Sequence, residues 1–126
     1  MNSIKNKKLL LSSITTCIAL SFTSQVQAED SVFVGHLADM SGPTAFVGKN
    51  YANGVRDSLA YINAHGGIDG TKLRSETIDY GYKVPQAIAA YKKWKSREGM
   101  VAMQGWGTAD TEALISFVAR DKTPVF

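Results

Sequence analysis

Cysteine is almost missing from this chain: Cys17 is the only one in 126 residues. A single thiol makes no intramolecular disulfide and no thiolate metal cage. Histidine is nearly as scarce. His36 and His65 have no His, Cys or carboxylate partner at metal-ligand spacing, so no metal is expected. His36 reads as a strand residue and His65 as a helix-end residue. A third absence is local: the first 28 residues contain no Asp or Glu.

That acid-free segment has the three parts of an export signal. Lys5, Lys7 and Lys8 form a basic start, Leu9 to Phe22 an apolar middle, and Val26-Gln27-Ala28 a small-residue cleavage site ahead of Glu29-Asp30. The apolar stretch is 14 residues long, short of the roughly 20 that span a bilayer. The rival readings are a membrane anchor or a buried helix. Cleavage after Ala28 is expected to leave residues 29–126, with 11 basic and 11 acidic side chains. The formal charge of +3 on the whole chain therefore belongs to the signal, and no nucleic-acid partner is expected. Cys17 leaves with the signal, and Thr16 before it does not suit a lipidation site. The expected location is the periplasm.

The remaining residues alternate between strand and helix patterns. Ser31 to Leu37 is β-branched and apolar, and Ser41-Gly42-Pro43 stops it, which predicts a buried strand. Tyr51 to Ala64 carries Tyr51, Val55, Leu59 and Ile62 at helical spacing and ends at Gly66-Gly67. Leu73 to Tyr80 alternates apolar and charged residues, as an edge strand does. A second helix opens with Pro85 at its first position, places Ala87, Ile88, Tyr91 and Trp94 on one face and closes at Gly99. Met100 to Gln104 reads as a third strand and Gly105-Trp106-Gly107 as a turn. Thr108 is then the cap of a third helix with Leu114, Ile115, Phe117 and Val118 as its core face. Pro124-Val125-Phe126 reads as the opening of a fourth strand. The order predicts an α/β fold, a Rossmann-like parallel sheet with helices on both faces. A sheet stopping on a raw apolar strand leads to the expectation that the sequence is a fragment of a longer protein.

Several motifs mislead. Gly42 to Asn50 sits where a phosphate-binding loop would, but five residues separate Gly42 from Gly48 and Asn50 replaces the required Ser or Thr. Gly105-Trp106-Gly107-Thr108-Ala109-Asp110 starts like a dinucleotide fingerprint, yet its third glycine is Asp110, whose carboxylate would repel a pyrophosphate. No Gly-x-Ser-x-Gly elbow supplies a hydrolase nucleophile. Asp39 and Asp79 fall at the C-terminal ends of strands, and loop or cap duty is the simpler reading. No catalytic residue and no cofactor is expected.

The residues then resemble a known family. Ser41-Gly42-Pro43 with Gly48, the helix end Ile62-Asn63-Ala64-His65-Gly66-Gly67-Ile68-Asp69-Gly70, the strand end Ile78-Asp79-Tyr80 followed by Pro85 to Ala90, and Lys122-Thr123-Pro124-Val125-Phe126 occur in order. They look like the N-terminal lobe of a type I periplasmic substrate-binding protein, of the branched-chain amino acid (Leu/Ile/Val-binding) branch of ABC importers. The Gly-Gly-Ile-x-Gly turn is the most specific of these features. The resemblance implies a partial first lobe over residues 29–126, and in the whole protein two lobes that close on a ligand by a hinge motion. It implies a small-molecule ligand, an amino acid or an aromatic or aliphatic carboxylate, and an ABC permease in the inner membrane as partner. By the same resemblance Thr108, with the backbone of Gly107 and Ala109, would hold the ligand's carboxylate, in keeping with a helix N-terminus as an anion site. Trp106 and Phe46 would shape the side-chain pocket. Trp106 departs from the small or aliphatic residue common in amino acid binders, which makes an aromatic carboxylate a rival to leucine. The alternatives are a periplasmic sensing domain of a signalling receptor, a secreted α/β hydrolase or phosphatase, and an inert truncated product.

Overall fold

The computed structural model describes residues 31–126; the export signal and its cleavage after Ala28 lie outside them. Three strands are hydrogen-bonded in the order β2-β1-β3: β1 (Ser31–Ala38), β2 (Lys72–Asp79) and β3 (Ala102–Gln104). Both pairings are parallel, with Gly35 opposite Glu76 on one side and Met103 on the other. Val125 bridges Met103 in the same sense, so the chain's last residues begin a fourth strand beyond β3, as expected. β2 lies at the edge, where its alternating pattern placed it.

The two faces of β1 differ. Phe33 and Leu37 point to one core together with Ala87, Tyr91, Trp94, Met100 and Leu114. That face is covered by α2 (Val84–Lys93), the π-helical turn Trp94–Glu98 and α3 (Thr108–Asp121). Gly35 sits in this layer, and a Cβ there would meet Trp94 and Met100. On the opposite face, His36 meets Tyr51 of α1 (Ala45–Ala64). Helices on both faces of a parallel sheet are thus the observed architecture.

Local chemistry explains most element ends. Gly66 and Gly67 take positive φ after α1, and Gly67 N–H bonds back to Ile62 O at 2.9 Å, a left-handed exit that glycine accepts at no steric cost. Gly99, at φ 64°, ends the π turn through a bond from its N–H to Trp94 O.

Five boundaries or faces differ from expectation. α1 begins at Ala45, not Tyr51, so Gly48 is helical rather than part of a loop. Pro85 is the second residue of α2. β3 is confined to three residues. Gly107, in extended conformation, is the N-cap of α3, which makes Thr108 its first helical residue. Ile115 is 57% exposed and leaves the core face to Leu114, with Phe117 and Val118 half-buried beside it.

Candidate ligand-binding cleft

Ligands of open α/β sheets bind beyond the carboxyl ends of the strands. Here three loops meet at that edge: residues 39–44 after β1, 80–83 after β2 and 105–107 after β3. The first is built on Asp39, which is fully buried. Its Oδ1 accepts the Gly42 N–H at 2.5 Å, and its Oδ2 accepts the Thr44 N–H and hydroxyl, each at 2.7 Å. Burial alone would raise the Asp39 pKa, but these donors outweigh it and hold the carboxyl below its usual range. Asp79 is treated alike: burial opposes ionisation, and the Ser41 hydroxyl with the N–H groups of Met40 and Gly81 reverses the balance. Both aspartates are loop organisers, the simpler of the readings the sequence allowed.

The sign of the resulting pH effect follows. A carboxylate with a depressed folded pKa stabilises the fold above its unfolded pKa, and that contribution is lost as pH falls through the folded value. Stability should therefore drop as pH falls below about 4. Denaturation at a series of pH values should show a shallower acid limb in Asp79→Asn; identical limbs would remove Asp79 from the account.

The loop after β3 is tied to the one after β2. Asp110, buried in the first turn of α3, accepts the Tyr80 hydroxyl at 2.7 Å and the Gly107 N–H at 3.1 Å. Burial, then the bond to Asp110, raises the Tyr80 pKa, so its phenol stays a donor. A Cβ at Gly107 would lie 2.6 Å from Asp110 Oδ1 and 2.9 Å from the Tyr80 hydroxyl, so a side chain there would force the Asp110–Tyr80 pair to shift. Thr111 adds a hydroxyl bond to Gly107 O at 2.7 Å.

Next to this network opens a cleft of about 540 Å³, lined by Tyr51, Gln104, Trp106, Gly107, Thr108 and Phe126 among others. Of the residues singled out from the sequence, Trp106, Gly107 and Thr108 line it together. Ala109 is exposed in the first turn of α3. Phe46 lies in the first turn of α1, 79% exposed, and is not among the lining residues. The Gly107 N–H is engaged by Asp110, whereas the N–H groups of Thr108 and Ala109 open the helix, where no intrahelical carbonyl faces them. Among the described residues no three His, Cys, Asp or Glu side chains gather to hold a metal.

Sequence reasoning did not single out Tyr51, which lines the cleft, or Thr44, which does not line it but bonds to Trp106, which does. The sequence placed Tyr51 only at helical spacing with Val55, Leu59 and Ile62; its ring centroid lies 5.2 Å from that of Trp106 and 5.8 Å from that of His36. Thr44 accepts the Trp106 indole N–H at 2.9 Å. Their separation of 62 positions leaves no local signal of that bond.

A parallel sheet flanked by helices, with its cleft at the carboxyl edge of the strands, fits a partial N-terminal lobe of a two-lobed solute-binding protein. The chain belongs to the periplasmic binding protein family, whose model matches residues 31–126. It is similar to the Leu/Ile/Val-binding protein of Escherichia coli strain K12, 40% identical over 91 residues, covering 72% of this chain and 23% of that protein. The Leu/Ile/Val/Thr-binding protein of Salmonella typhimurium is 38% identical over 90 residues, covering 71% and 23%. Among solved structures, an ABC transporter substrate-binding protein of Aeropyrum pernix superposes with a TM-score of 0.71 at 35% identity, covering 76% of this chain and 26% of that one. The chain spans about a quarter of the length of the curated relatives it matches.

Proposed function

We propose that this protein is the solute-binding component of an ABC importer, exported to the periplasm, where it captures a branched-chain amino acid or a related small carboxylate and presents it to an inner-membrane permease. Its action is binding and lobe closure rather than catalysis. The observation that carries this reading is the cleft at the carboxyl edge of the sheet, with Thr108, whose hydroxyl and N–H open α3, on its wall. These donors suit a carboxylate, and the positive end of a 14-residue helix adds to them. The relatives named for leucine, isoleucine and valine supply the ligand class. Trp106 on the same wall favours an apolar group on the ligand and keeps an aromatic carboxylate as the second candidate.

The test is calorimetry on protein purified from the periplasm of cells expressing it from its own locus. L-leucine, L-isoleucine, L-valine and benzoate are titrated into the wild type and Thr108→Ala. The variant should lose about 1–3 kcal/mol of affinity, a rise in Kd of roughly 5- to 150-fold. An unchanged Kd would reduce Thr108 to a structural helix-start residue.

A further inference from the structure

We propose that Thr44 is a positioning residue for Trp106: it sets the plane of the indole and, through it, the choice the cleft makes between flat and branched apolar groups. The selectivity half of this inference rests on the binding function proposed above.

Thr44 stands at the N-cap of α1, yet its side chain makes no cap bond. A threonine there ordinarily turns its oxygen to the N–H groups of the first turn. Instead the hydroxyl donates to Asp39 Oδ2 at 2.7 Å and accepts the Trp106 indole N–H at 2.9 Å. The direction of this chain of bonds is dictated by its ends. An indole N–H only donates, an ionised carboxylate only accepts, and a hydroxyl offers one donor with lone pairs to spare. The Asp39 carboxylate is itself held ionised by Thr44 and Gly42, so the terminal bond is charge-assisted and strong.

The consequence falls on a side chain that would otherwise swing. The outer torsion of a tryptophan is broad, and Trp106 is only half-buried on the rim of the cleft. Thr44 holds its polar edge, and the Tyr51 ring, 5.2 Å away and inclined by 52°, packs beside it. A ring fixed in plane discriminates by shape, because a flat aromatic group gains stacking on its face beyond the area it buries and a branched aliphatic group does not. A mobile ring adapts to both at an entropic cost.

Two variants of the full chain separate the cases. Thr44→Val keeps the shape and deletes both bonds; Thr44→Ser keeps the hydroxyl. The ligand-free readout is hydrogen exchange at the two indole N–H groups by NMR. Trp94, bonded to Glu76 at 2.7 Å, is the internal control. Thr44→Val should speed exchange at Trp106 by about tenfold or more, leave Trp94 unchanged, and Thr44→Ser should restore protection. The second readout is the ratio of Kd for L-leucine to Kd for L-phenylalanine in the periplasmic protein. It should move at least about threefold towards one in Thr44→Val and stay within about twofold of wild type in Thr44→Ser. Unchanged exchange at Trp106 would overturn the positioning role. Faster exchange with an unchanged ratio would overturn the selectivity role. A wild type that binds neither ligand would remove the binding function and the selectivity claim with it, while exchange still decides the positioning. Should Thr44→Val fail to fold, Trp106→Phe deletes the same bond from the other end and must shift the ratio the same way.

Discussion

Trp94→Ala should cost about 3–5 kcal/mol, the usual loss for a fully buried tryptophan. Small domains hold only about 5–15 kcal/mol in total, so the variant should unfold at much lower urea or not fold at all. The size of the effect comes from where the indole lies. It has no exposed surface, packs 6.3 Å from the Phe33 ring, and fills the space that Gly35 leaves beside Met100. Its Nε1 donates to Glu76 at 2.7 Å, on the same carboxylate that Lys93 reaches at 2.6 Å. Those bonds from Lys93 and Trp94 lower the Glu76 pKa against its partial burial. Truncation therefore removes transfer free energy, opens a cavity between β1 and α2, and frees the edge strand from its anchor. Urea denaturation followed by far-ultraviolet circular dichroism measures it, with Trp94→Phe as the milder comparison. A loss below about 1 kcal/mol would show that the site collapses around the deletion.

Gly48→Ala should cost about 1–3 kcal/mol, at the upper end of that range. A Cβ on Gly48 would overlap the carbonyl of Asp39. That neighbour is backbone and cannot rotate away, so α1 must lift from the loop that Asp39 organises through Gly42 and Thr44. The melting temperature should fall by roughly 4–8 °C for each kcal/mol. Gly54→Ala is the control within the same helix. Nothing lies within 4 Å of a Cβ there, so alanine should stabilise by roughly 0.5–1 kcal/mol. Equal responses at the two positions would show that helix propensity, not the close approach to Asp39, governs Gly48. The clash should also loosen the loop that carries Thr44 and so reach the cleft.

Much of the fold was legible because its signals are short in range. The β-branched run from Ser31 to Leu37, the helical spacing of Ala87, Tyr91 and Trp94, and the glycines at 66, 67 and 99 each act within a few residues. The alternation of strand and helix then limits the topology. The family resemblance was legible in the same way, through the Gly-Gly-Ile-x-Gly turn and its flanks. Errors arose where a long-range contact overrode the local pattern. α1 starts six residues early because Gly48 fits against Asp39, a contact no periodicity reports. Thr108 gives up the cap to Gly107, whose N–H bonds to Asp110 and whose lack of a side chain leaves room for the Asp110–Tyr80 pair.

Thr108, Gly107 and Trp106 were proposed from the family resemblance, as the turn after the third strand and the helix start behind it, and the structure sets them on one wall. Tyr51 and Thr44 were not, since their roles exist only once α1 is laid beside the loop after β3. The sequence by itself determined the strands, the helices, their order and the turn chemistry, all of which depend on neighbours along the chain. The tertiary structure alone decided which side chains form the cleft wall. Packing three strand ends side by side brings together residues such as Thr44 and Trp106, 62 positions apart, and the hydrogen bonds and ring contacts that hold them act over distance in space.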